Sequence, residues 1–243
     1  MTIQLVTHAY AKVLPQFAVF LRAQLTSLLR SQFDGFTGIT VCYTHDDQRV
    51  LDVLDHFDPL FDGLIIRRPM SEPYLFRRSI GRNTAAVNCS ADILWATDVD
   101  HVFGPDCLRD LQTQWDQLDE KPSLAYAGEV QIQAAHSQGD QFVADHVAGR
   151  GLLGIEGLQF TKKKYLQPVG GVHLLNGDFA RRHGYLRDFQ KWQRPEIDQK
   201  PFRCFRDDKA FVKYCRNNGS VKRIQVPGIF RLRHTETTYY KPE

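Results

Sequence analysis

An α/β fold built on a mostly parallel sheet is predicted by three observations. Short apolar runs alternate with amphipathic helical patterns through the first hundred residues, and acidic or polar residues gather where those runs end. The third is size: 243 residues with 42% hydrophobic content suffice to bury one full core.

The elements follow in order. "IQLVTHA" (3–9) reads as a buried strand, and "FAVFLRAQLTSLLRSQF" carries a helical period after it. "GITVCYTHDD" (38–47) is a second strand, "QRVLDVLDHF" a second helix and "GLIIRR" (63–68) a third strand. A helix is expected over 74–91, then the strand "DILWATD". Beyond Pro105, "CLRDLQTQWDQL" (107–118) is helical and "SLAYAGEVQIQAA" (123–135) reads as one long strand. The closely spaced glycines between 136 and 165 predict a mobile loop or lid. "PVGGVHLLNGDFARRHGYL" (168–186) reads as a strand entering a short helix, 188–202 as loop and 205–219 as a helix with acids in its first turn. "VKRIQVPGIFRLRHTE" (221–236) closes as two strands around Pro227 and Gly228.

Composition excludes several classes. A net charge of +3 from 31 basic and 28 acidic residues is too balanced for nucleic acid as the main partner. Five cysteines, Cys42, Cys89, Cys107, Cys204 and Cys215, form no C-x-x-C pair and sit mostly in apolar stretches, as expected of reduced thiols in a cytoplasmic protein. No apolar run approaches the roughly 18 residues of a membrane span, which leaves room only for a peripheral membrane contact.

In a parallel sheet, ligands bind beyond the carboxyl ends of the strands. Thr7, His8, Asp46, Asp47, Asp98 and Asp100 all fall at such ends, so one crevice is expected to collect them. The pair Asp98 and Asp100 ends an apolar run, and alternate residues on a strand share a face, so both carboxylates could serve one hard cation, magnesium or manganese. His101 beside them reads as local polar dressing. By itself Asp-x-Asp is an ordinary surface turn.

Its surroundings carry more. "GRNTAAVNCSADILWATDVD" places Arg82 and Asn83 on a small-residue helix, fifteen residues before an apolar strand that ends in Asp-x-Asp. In this the sequence resembles glycosyltransferases of the GT-A fold, a Rossmann-like α/β domain with a central mixed, mostly parallel sheet flanked by helices. "YLQPVGGVHLLNGDFARRHGYL", with Tyr165, Gln167, Gly170, Gly171, Val172, Leu174, Phe179 and Gly184, is similar to the acceptor-side segment of β4-galactosyltransferases and related chondroitin-type polymerases. The resemblance implies a single domain over 1–243, with a nucleotide-binding half (1–103) and an acceptor-binding half (104–243). Asp100 is then a direct metal ligand, Asp98 a partner near metal or ribose, and His234 in "IFRLRHTETTYYKPE" a third ligand. Thr7, His8, Asp46, Asp47, Arg82 and Asn83 become nucleotide contacts, and Gly170, Gly171 and Trp192 line the substrate.

The chain departs from that group downstream, where the Trp-Gly-Trp-Gly-Gly core is missing and "CFRDDKAF" follows a longer polar stretch. Aligning on Phe211 selects Asp207 as the catalytic base; the "RDD" reading selects Asp208, which we favour. The activity implied is inverting, metal-dependent transfer of a sugar from a UDP-sugar donor to a hydroxyl of a glycan or glycoconjugate acceptor, with manganese or magnesium as cofactor. Two rivals stand beside it: a binding module of the same fold without turnover, and a nucleotidyltransferase. The latter needs a glycine-rich phosphate loop after its first strand, and "THAYAKVLPQF" supplies none.

Overall fold

A computed structural model describes residues 1–31, 33–194 and 207–233. The expected alternation is present: β1 (Ile3–His8), α1 (Gln16–Arg30), β2 (Phe36–Thr44), α2 (Gln48–Phe61), β3 (Ile65–Met70), the short helices α3 (Glu72–Phe76) and α4 (Arg78–Val87), and β4 (Ile93–Thr97). Then come β5 (His101–Phe103), α5 (Cys107–Asp116), β6 (Leu124–Ala127), β7 (Glu129–Gln133), α6 (His136–His146), β8 (Phe160–Lys164), β9 (Val172–Asn176), α7 (Gly177–His183), α8 (Gln190–Gln193), α9 (Asp207–Asn218), β10 (Val221–Ile224) and β11 (Ile229–Arg231).

Every residue of β1 and of β4 is buried, which is why neither shows the apolar-polar alternation of a half-exposed strand. The main sheet has seven strands in the order β10-β6-β9-β4-β1-β2-β3. It is parallel from β3 through β4, and β9 is inserted antiparallel between β4 and β6. Strands from both halves of the chain therefore share one sheet. Hydrophobic cores cover both of its faces, one around Trp95, Phe57 and Leu25, the other around Leu94, Tyr185 and Phe211. A second sheet of four strands runs β5-β11-β7-β8. Among the described residues no helix is long and apolar enough to cross a membrane.

Several expectations are corrected. The helix expected over 74–91 breaks at Arg77, whose backbone (φ −91°, ψ 79°) is not helical. The single strand expected over 123–135 divides at Gly128 into β6 and β7, which join different sheets. A Cβ at Gly128 would lie 2.1 Å from Arg223 Nε, so the chain bends at the one residue without a side chain. The stretch 136–165 contains α6 and β8, with β8 paired along β7. Arg22 of α1 donates to the carbonyls of His146 (2.7 Å) and Gly151 (3.0 Å), which pins this stretch to the core side of the sheet. Cys42, Cys89, Cys107 and Cys215 are buried free thiols, and burial raises Cys42 to about 12; Cys204 lies outside the described residues.

The loop after β2 shows what its acids do. Asp47 caps α2 by accepting from the Val50 amide (3.4 Å) and also accepts from the Lys12 amide (2.7 Å), joining the turns that follow β1 and β2. Asp47→Ala is expected to lower stability by about 1–2 kcal/mol, with Asp47→Asn much milder, as read from urea unfolding midpoints. Equal losses in both variants would contradict the capping role.

Candidate functional site

The aspartates do not alternate along a strand. β4 ends at Thr97, and Asp98, Val99 and Asp100 form a turn, closed by His101 N donating to Asp98 O (3.1 Å), that carries the chain from the first sheet into β5 of the second. Because β9 is antiparallel to β4, Thr97 pairs with Val172 and the preceding Gly170 and Gly171 are delivered beside this turn. An added Cβ at Gly171 would lie 2.5 Å from His101 Cε1 and 2.8 Å from Asp98 Oδ2; one at Gly170 would lie 2.2 Å from Asp208 Oδ2. The glycine pair is thus the surface against which three functional side chains rest.

Two arginines on one face of α4 hold the acids. Arg82 is fully buried and donates to Asp208 Oδ1 (2.6 Å), Asp98 Oδ1 (3.2 Å), the Gly170 carbonyl (3.2 Å) and the Tyr185 hydroxyl (3.1 Å). Arg78, one turn earlier, reaches Asp98 Oδ1 at 2.7 Å and Asp208 Oδ2 at 3.4 Å. Burial alone would raise the Asp208 carboxyl, but Arg82, Arg78, His173 and the Tyr185 hydroxyl outweigh it and hold it well below the carboxylate range. Asp207 behaves oppositely. It is fully buried, no other side chain among the described residues hydrogen-bonds to it, and burial together with the neighbouring Asp208 charge raises it. Of the two candidate bases, Asp208 faces the glycine pair, with 21% of its side chain exposed.

Asp98, Asp100 and His101 each offer a ligand atom within 4.8 Å of the others. Asp100 is buried, and Arg231 of β11 donates to its Oδ2 at 2.9 Å. Burial raises its carboxyl; Arg231 and His101 more than reverse this and hold it low. Its Oδ1 lies 3.0 Å from His101 Nδ1, yet neither atom has a hydrogen-bond partner of acceptable geometry. Two ligands of an octahedral ion bound at about 2.1 Å sit about 3 Å apart, so the contact fits two donors turned toward one cation. With Asp98 Oδ2 against Gly171, an oxygen and nitrogen set suited to manganese or magnesium results. His101, read from sequence as polar dressing, offers the nitrogen atom of this group; His234 lies outside the described residues.

No family model matches the chain, and no curated protein matches it in sequence. Solved structures do. S. aureus TarS 1-349 superposes with a TM-score of 0.58 at 11% identity, covering 95% of this chain and 60% of that one. The same S. aureus protein in complex with UDP gives the same values. HddC from Yersinia pseudotuberculosis superposes with a TM-score of 0.51 at 14% identity, covering 96% of this chain and 95% of that one. This chain has the GT-A fold. It spans 60% of the length of TarS 1-349.

Within that fold the remaining expected contacts separate into two groups. Thr7 and His8 lie buried at the end of β1, their side chains without hydrogen-bond partners among the described residues, and burial, with the charges of Arg82 and Arg78, lowers His8 far enough to keep it neutral. The others are engaged within the chain. Asp46 pairs with Lys12 at the surface (2.6 Å), and Asp47 is the helix cap. Asn83 accepts from the Tyr185 amide (3.0 Å), so it positions Tyr185. Trp192 packs against the second core with Arg77 and Lys191 over its ring, and its carbonyl accepts from Ser79 (2.6 Å). Arg82, expected at phosphate or uracil, instead neutralises the two acids from a position with no solvent exposure.

Arg78, His173, Tyr185 and Arg231 were not singled out by motif. For Arg78 a signal existed, since it stands four residues before Arg82 on one helical face. Arg82→Met is expected to cost about 3 kcal/mol, because two half-shielded carboxylates lose a buried partner. The folded Asp208 carboxyl lies below its unfolded value of about 3.9, so its contribution is present above that pH and lost as pH falls through the acid range. Chemical denaturation across pH should therefore show a shallower acid loss in Arg82→Met than in wild type; an unchanged midpoint at neutral pH would refute this account.

Proposed function

We propose that this protein is an inverting, metal-dependent glycosyltransferase that moves a sugar from a UDP-sugar to a hydroxyl of a glycan or glycoconjugate. The observation that carries the reading is the meeting of Asp98, Asp100 and His101 from the β4 turn with Asp208 from α9 across the glycine pair. Metal donors stand on one side of Gly170 and Gly171 and a solvent-reaching carboxylate on the other. The GT-A architecture shared with S. aureus TarS, whose structure has been determined with UDP, supports the donor class.

Asp98, Asp100 and His101 would hold manganese or magnesium, which when bound offsets charge on a departing diphosphate. Thr7 and His8, buried at the end of β1, keep side-chain polar atoms without a hydrogen-bond partner among the described residues, and this carboxyl end of the strand is where the nucleotide would lie. Asp208 accepts the proton of the acceptor hydroxyl while the hydroxyl oxygen bonds to the anomeric carbon and the bond to the diphosphate breaks. Configuration inverts because attack and departure occupy opposite faces. A carboxylate kept ionised by Arg82 and Arg78 is a weak base, so the proton moves late, once the attacking oxygen has gained positive charge. Gly170 lets the Asp208 carboxylate lie directly against the backbone, where a Cβ would come 2.2 Å from Oδ2.

A second reading has its own support. Arg78 and Arg82 already neutralise Asp98 and Asp208, as a UDP-sugar-binding module without turnover would permit. UDP release from a panel of UDP-sugars with manganese separates the two. Turnover should fall to background in Asp98→Asn and Asp100→Asn, together with loss of manganese-dependent thermal stabilisation. Asp208→Asn should slow turnover by about 10²–10⁴-fold while keeping UDP affinity. Tight UDP binding without release from any donor would favour the module.

A further inference from the structure

Tyr185, just after α7, is fully buried, and its ring stacks on Phe211 of α9 at 3.9 Å between centroids. Its hydroxyl oxygen lies 3.0 Å from Asp208 Oδ1, 3.1 Å from Arg82 Nη1 and 3.2 Å from His173 Nδ1. A phenol has one proton to give and two lone pairs to receive with. Arg82 can only donate, and Asp208, held ionised, can only accept. The tyrosine proton therefore goes to Asp208, and His173 must donate from Nδ1 to fill the remaining lone pair. That leaves Nε2 without a proton, in agreement with its lack of a hydrogen-bond partner among the described residues. Burial lowers His173 to about 4, so the ring carries a single proton near neutral pH.

We propose that Tyr185 is a positioning residue for Asp208, itself oriented by the Nδ1–H tautomer of His173, and that together they determine which carboxylate oxygen is left for the acceptor hydroxyl. Oδ1 receives both Arg82 and Tyr185, whereas Oδ2 receives only the 3.4 Å contact from Arg78 and lies against Gly170. Without Tyr185 the carboxylate could rotate about its last bond and offer either oxygen to Arg82. Among the described residues, the charged and titratable groups around Asp208 are Arg78 and Arg82 from α4, Asp98 across those two guanidinium groups, His173 from β9, Tyr185, and Asp207 on its own helix. This inference rests on Asp208 being the base.

Tyr185→Phe keeps the stacked ring and removes only the hydroxyl. In the free wild-type protein, nitrogen-15 histidine spectra should show His173 protonated on Nδ1; protonation on Nε2 would overturn the proposal without any donor being needed. Carbon-13 carboxyl titration should find Asp208 titrating at higher pH in Tyr185→Phe than in wild type, and coincident curves would equally overturn it. With manganese and the UDP-sugar that supports turnover, Tyr185→Phe should lower kcat about ten-fold at unchanged donor KM and move the acid limb of the kcat profile to higher pH. Wild-type kinetics in Tyr185→Phe, alongside a disabled Asp208→Asn, would remove this proposal alone. An active Asp208→Asn would remove the base assignment and the proposal with it.

Discussion

Arg82 carries its charge where no water reaches it, and the geometry of the site follows from how that charge is answered. A buried guanidinium needs anionic partners, and it takes Asp98 from the β4 turn and Asp208 from α9, residues 110 positions apart in the chain (208 − 98). One short helix thereby fixes the separation between the Asp98 turn and Asp208. The same contact keeps Asp208 ionised, since the local positive charge exceeds the cost of its burial. Arg78 repeats the contact from the neighbouring turn of α4 and closes the set from the solvent side.

Topology supplies the other constraint. Had β9 been parallel to β4, its leading glycines would lie at the opposite end of the sheet from Asp98. Running antiparallel, it sets Val172 against Thr97 and brings Gly170 and Gly171 under three side chains at once. The second sheet does comparable work on the other flank. β11 pairs with β5, so Arg231 comes opposite His101 and reaches Asp100, while the Leu232 amide donates to the Asp100 carbonyl (2.8 Å). Asp100 is consequently fixed by backbone and side chain together. A turn between two sheets, rather than a strand face, is what makes the Asp-x-Asp pair converge.

Much of the fold was legible because burial writes itself into the pattern. β1, β2 and β4 are covered on both faces and read as mainly apolar runs, and α2 shows Val50, Val53, Leu54, Phe57 and Phe61 on one stripe behind its Asp47 cap. What the pattern missed were changes of direction at Arg77, Gly128 and Asp98–Asp100. Each depends on a distant neighbour: Trp192 beneath Arg77, Arg223 against Gly128, and the second sheet beyond the aspartates. The glycines of 136–165 misled for the same reason. At Gly139 a Cβ would lie 1.5 Å from the Arg233 carbonyl, so the residue serves close packing rather than motion.

The sequence by itself determined the α/β class, the order of the elements and the residue types of the site, because periodicity and acid placement are local properties of the chain. It also singled out Asp98, Asp100, Gly170, Gly171 and the acids at 207 and 208. Only the tertiary structure distinguishes the surroundings of those two acids, burying Asp207 completely and turning Asp208 toward the glycines. It likewise moved Arg82 from an expected ligand contact to the centre of the charge network and gave His101, Tyr185 and His173 their places. Charge pairing and hydrogen-bond direction depend on distances across the fold, and those arise when β9 and β11 are inserted beside strands far from them in the chain.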